Sequence, residues 1–179
     1  TMRSLSIQQK RSARRSRLHN PQSSRRSAPL ELERLEDRRM RATVAGDGGG
    51  TFNWNDAADS STNATPNAAD DVTVGDLGGA TISVSGSAVA IHSLHTSAAI
   101  DVSGTSFSLA ANSDVSSTLQ VDTGGSLNLS GVTISGTGQI VNGVGSTLTA
   151  YDTTFNDAVV NDGTMVVLRG VQINGLLTT

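Results

Sequence analysis

The chain has no cysteine, a single lysine and very few aromatic residues. Without cysteine it has no disulfide and no thiolate metal site. Helical globular domains draw heavily on Leu, Ala, Glu and Lys, and Lys10 stands alone here. Only 16% of residues are charged. No apolar run approaches the ~18–20 residues needed to cross a bilayer. A chain without disulfides needs another source of stability, and stacked coils joined by continuous strand hydrogen bonds would provide one.

What the chain has in quantity is Gly, 19 residues of it, together with Ser, Thr, Val, Asn and Asp. This composition suits short strands joined by tight turns. The charge is divided sharply. Residues 1–45 carry twelve Lys/Arg against four acids, a balance of +8. Residues 46–179 carry Arg169 alone against twelve aspartates, a balance of −11. An acidic body with one cation argues against nucleic acid as a partner, because such binding rests on Lys and Arg meeting phosphates.

Residues 1–28 are rich in Arg and Ser with almost nothing apolar, and disorder is expected there. Arg14 and Arg15 form a twin-Arg pair, but no apolar stretch follows to make an ordinary secretory signal. Over residues 29–45, Leu32, Leu35 and Met40 recur at roughly helical spacing, with acids early and arginines late. That order complements a helix dipole and predicts a short amphipathic helix. The same stretch resembles the N-terminal sorting motif of large secreted planctomycete proteins, approximately Leu-Glu-x-Leu-Glu-x-Arg-x-Leu-Leu-x-Ala. Leu32-Glu33 and Leu35-Glu36 supply the paired steps, Arg38 the arginine, Met40 one apolar position and Ala42 the final alanine. Arg41 departs from the pattern, where leucine is usual. The resemblance implies export to the cell surface or exterior through a sorting machinery.

Residues 46–71 form a linker and cap. Gly46-Asp47-Gly48-Gly49-Gly50 is a hinge sequence. Its glycine-aspartate character hints at calcium, but the repeated nonapeptide of calcium sites is missing, so no cofactor is assigned. Trp54, Pro66 and the run Asp70-Asp71-Val72-Thr73-Val74 are similar to segments that open bacterial secreted β-helix regions. There a Trp covers the open end of the first coil. Trp54 is accordingly assigned as a cap, with glycan stacking as the functional alternative.

The body, residues 72–179, contains an internal repeat. Copies begin at Ile82, Ile100, Leu127, Leu148 and Met165, each with apolar residues two apart, a small turn and a further apolar residue. Alternation at period two predicts strands with one buried face. One coil of about 18–27 residues cannot bury its own face, whereas stacked coils do. The fold expected is all-β, a right-handed parallel β-helix. A β-sandwich also has short strands and Gly-rich turns, but does not require one octapeptide to return at coil-like spacing. The sequence stops directly after a repeat copy, and the expectation is of a longer protein.

Catalytic patterns are sparse. His92 and His95 are the only close histidines, and three apart on a strand they point to opposite faces. Asp70 and Asp71 are the only adjacent body acids. Arg169 lies about one coil beyond Asp152, and the two are expected to form a stacked ion pair. There is no phosphate loop, nucleophile elbow or Cys/His constellation. The expected function is therefore a non-enzymatic, adhesin-like or matrix-like module outside the cell, with surface glycans or matrix proteins as partners. The alternative is part of a carbohydrate-active β-helix enzyme, a polysaccharide lyase or glycoside hydrolase.

Overall fold

The computed structural model of the protein describes residues 41–44 and 52–179. Within them every strand pairing is parallel, and the strands assemble into three sheets of seven, seven and five strands. The first sheet contains Arg41–Val44, Asp71–Val74, Ser93–Thr96, Ser113–Val115, Thr133–Ser135, Thr154–Phe155 and Gln172–Ile173. In the second are Phe52–Asn53, Thr81–Val84, Ala99–Val102, Thr118–Val121, Gln139–Asn142, Ala158–Asn161 and Leu177–Thr178. Val89–Ile91, Ser106–Leu109, Ser126–Ser130, Thr147–Tyr151 and Thr164–Val167 make up the third. From Asp71 onward the chain visits first, second and third sheet in turn and then repeats, tracing five complete coils of a parallel β-solenoid.

Period-two alternation creates the core. Ile82, Ile100, Leu119, Ile140 and Val159 stack as one inward row of the second sheet, each of them 0% exposed. Val89, Phe107, Leu127 and Leu148 form the matching row of the third sheet. Val72, Leu94, Ile134 and Phe155 belong to the row of the first, which Ser113 interrupts. Ser113 is tolerated because its hydroxyl bonds the Leu94 amide and the Ala111 carbonyl. Each buried Leu, Ile or Phe contributes about 1.5–3 kcal/mol.

Asn142 breaks the Val84–Val102–Val121 row and is fully buried. Its amide donates to Asn161 Oδ1 and the Thr164 carbonyl, while its Oδ1 accepts from Ser146. The polar atoms are thus engaged, and the bonds tie the turn over 143–146 to the next coil. Glycine is required where turns stack closely. A Cβ on Gly138 would overlap the Ser117 carbonyl of the coil before it.

Two expectations need correction. The helix predicted over 29–45 does not extend to its expected end, because Arg41–Val44 is a strand in register with Asp71–Val74. Main-chain pairing with the first coil outweighs the local helical pattern there, and Ala42 is buried at the core. The remainder of that segment, and the basic head, lie outside the described residues. The repeat spacing is also narrower than expected. Ile82 pairs with Ile100 and Leu119 with Ile140, offsets of 18 and 21. The longer step from Ile100 to Leu127 crosses from the second sheet to the third, so it spans one coil plus one further side.

The last coil is the least covered. Val166, Val167 and Leu168, at its third-sheet strand, and Leu176 and Leu177, in the partial coil that follows, are exposed apolar residues.

Candidate functional site

On the third sheet the outward positions alternate with the core rows. Ala90, Ser108, Asn128 and Thr149 align across four coils by strand register. Two residues further along each strand, Ala110, Ser130 and Tyr151 make a second row, with Ser130 paired to Tyr151. Small side chains in both rows leave a groove of about 490 Å³, whose floor is the backbone over Ile91, Leu109 and Leu129. Ala68, from the segment before the first coil, also lines it. None of the lining side chains carries a charge at neutral pH. Ser108, Asn128, Ser130 and Thr149 engage no side-chain hydrogen bond among the described residues, in contrast to Asn112, Asn142, Asn161 and Asn174.

One end of the groove is marked by an ionic cluster. Arg169 lies 5.1 Å from the centre of the Tyr151 ring and donates to the Tyr151 hydroxyl at 2.5 Å. It also meets Asp152 at 2.8 Å, the stacked pair expected from the sequence. Asp152 is held below the usual carboxylate range, first by the hydrogen bond from Arg169. It occupies the corner position filled by Gly131 one coil earlier, and it shares that residue's positive φ, 44° against 68°.

Beside the groove, and sharing Ala110 with it, is a polar hollow of about 520 Å³ that includes Asp71, His92, Ser93 and Asn112. His92 Nδ1 lies 2.7 Å from Asp71 Oδ1, so the Nδ1 proton faces the carboxylate. Ser93 donates to the same oxygen at 2.5 Å. The serine therefore bonds the acid rather than the imidazole, and this is not the nucleophile–base–orienter order of hydrolytic triads. His95 is 3.6 Å from Asp114 on the outer face of the first sheet. The two histidines do not converge, but the expected geometry was different: His92 sits at a corner rather than on the strand.

The remaining singled-out residues lie elsewhere. Trp54 is 2% exposed and meets Phe107 edge-on inside the coils, so its ring presents no open face for a sugar. Asp70 is buried and accepts from the Asn67 backbone and side chain. Leu32, Glu33, Leu35, Glu36, Arg38 and Met40 lie outside the described residues. Ala42 packs in the core opposite Val72. Among the described residues no three His, Asp or Glu side chains are grouped to hold a metal. Nor is any helix there long and apolar enough to cross a membrane.

One acid was missed. Asp157 is 3% exposed, and neither carboxylate oxygen has a hydrogen-bond partner among the described residues. Burial, with a further contribution from Asp114, pushes its carboxyl up to about 6. Its sequence context, Asn156-Asp157-Ala158, reads as an ordinary turn, so nothing local signals the burial.

No protein-family model matches the chain, no curated protein is detectably similar to it, and no solved structure matches its fold.

Proposed function

We propose that this chain is a non-enzymatic structural module of the cell surface or exterior, adhesin-like in that it offers its outer faces to glycans or matrix proteins. The observation that carries the reading is the in-register outer face of the third sheet. Its rows of small and polar side chains repeat from coil to coil and combine apolar contact with unengaged hydrogen-bonding groups. A stacked scaffold holds such rows rigidly, which lowers the ordering cost of binding an extended partner. The export half of the reading rests on the resemblance of Leu32-Glu33, Leu35-Glu36, Arg38, Met40 and Ala42 to a secretion-linked sorting motif.

Protease treatment of intact cells, followed by mass spectrometry of the released and retained peptides, tests it. Peptides from residues 52–179 are expected in the released fraction or the medium. Their confinement to the cell interior would contradict the proposal.

A second reading is supported by the ionic groups flanking the groove. Asp71–His92 and Asp152–Arg169 place two acids, an imidazole and a guanidinium beside an elongated cleft, groups of the kind a carbohydrate-active enzyme uses. Incubating the full-length protein with polysaccharides decides between the two, since release of shorter chains favours the enzyme.

A further inference from the structure

We infer that the groove on the third sheet is a binding site for a neutral, linear glycan chain lying along the solenoid axis. The inference rests on the surface-module reading and gives it a ligand class.

Direction comes first. The groove runs across Ala90, Ser108, Asn128 and Thr149, which belong to four successive coils. Successive parallel strands lie about 4.8 Å apart, so its length is on the order of 14 Å. A compact metabolite would leave most of that length empty, whereas a chain-like ligand fills it.

Charge comes second. The body carries twelve aspartates against Arg169, yet no lining side chain of the groove is charged at neutral pH. Arg169, at the Tyr151 end, is already matched by Asp152. Nucleic acids and acidic polysaccharides would meet net repulsion from the body and no compensating cation in the groove.

Chemistry comes third. Ala68, Ala90 and Ala110 give apolar contact at the first-coil end, and Ser108, Asn128, Ser130 and Thr149 add polar atoms that are unengaged further along. A sugar ring presents the same mixture of C–H faces and hydroxyls. Purely lipid ligands would strand those polar groups without partners. An extended peptide would seek main-chain pairing, and the third-sheet strands Ser106–Leu109, Ser126–Ser130 and Thr147–Tyr151 are each already paired on both sides. Tyr151 at the end of the groove offers an amphipathic ring edge and hydroxyl where the chain emerges.

Affinity electrophoresis of the full chain tests this, with hydroxyethylcellulose, laminarin and dextran as neutral probes and alginate and polygalacturonate as anionic ones. Retarded migration is expected in at least one neutral polymer. Ala110→Trp and Ser130→Trp fill the groove from exposed positions, and each should weaken that binding at least about tenfold. Thr154→Trp, on the outer face of the first sheet, should leave it unchanged, and thermal melts establish that each variant is folded. Absence of retardation in every neutral polymer would overturn the inference, as would retardation only in the anionic ones or binding undiminished in both groove variants. These outcomes are separate from the location of the protein. A surface-exposed chain that ignores neutral polymers would refute the groove assignment alone.

Discussion

The Trp54 ring meets Phe107 edge-on, with centroids 5.3 Å apart and planes inclined at 72°. The contact ties the segment that precedes the first coil to the third-sheet strand Ser106–Leu109 of the second coil. Trp54 therefore plugs the interior of the stack, and its backbone amide is fixed by the Ser83 carbonyl.

Truncation of that plug should be costly. Trp54→Ala is expected to destabilise the fold by about 3–5 kcal/mol, and Phe107→Ala by a similar amount, because each leaves a cavity in a closed core. The double variant should cost less than the two single losses combined, since the rings share one contact. Urea denaturation of the four proteins checks this. Independent, additive losses would contradict the packing described.

Asp157 predicts the pH dependence. Its folded value near 6 exceeds the ordinary carboxylate value of 3.8, so the folded state holds the proton more tightly than the unfolded one. The stabilising contribution is complete below about pH 4 and is lost as pH rises through 6. Asp101, raised by burial and by Asp122, acts in the same direction. Asp157→Asn should gain on the order of 2 kcal/mol at pH 7 and almost nothing at pH 4. Thermal melts at the two pH values test the sign. Equal effects at both would show that the carboxyl does not titrate as described.

At the corner between third and first sheets, Asp152 adopts a backbone conformation that Gly131 and Gly170 also use. A β-branched residue resists that conformation. Asp152→Val should therefore lower the melting temperature clearly, and Asp152→Gly should leave it close to the native value. If glycine proved as damaging as valine, the bond to Arg169 rather than the backbone would govern the corner.

Asn142 looks replaceable by valine, since Val121 lies beneath it. The buried amide makes the opposite prediction. Asn142→Val removes the amide donor to Asn161 Oδ1 and the Thr164 carbonyl, leaves Ser146 only the Gly143 carbonyl, and should cost about 1–3 kcal/mol, measured by denaturant titration. A neutral substitution would mean that the turn over 143–146 closes without the amide.

The coil architecture was legible because Ile82, Val84, Ile100 and Val102 alternate with small polar residues, and alternation depends only on which face is buried. Register was not legible. Every side of the coil uses the same apolar–small turn–apolar pattern, so Ile100 and Leu127 looked like successive copies although they belong to different sheets. The groove stayed hidden for the same reason. Ala90, Ser108, Asn128 and Thr149 share no local motif, and only their stacking makes them a surface. The Asp152–Arg169 pair could be anticipated because these are rare charges about one coil apart. The burial of Asp157 depends on neighbours distant in sequence and leaves no local trace.

The most direct test of the account is the register that creates the groove. The chain has no native cysteine, so nitroxide labels can be attached at two introduced cysteines without background. Labels at Ser108 and Asn128, paired across adjacent third-sheet strands, should show strong dipolar broadening in continuous-wave electron paramagnetic resonance, as expected for parallel strands about 4.8 Å apart. Labels at Asp101 and Asn128, equivalent in the apparent octapeptide but on different sheets, should show much less. Stronger broadening for Asp101 and Asn128 than for Ser108 and Asn128 would contradict the coil register, and with it the groove.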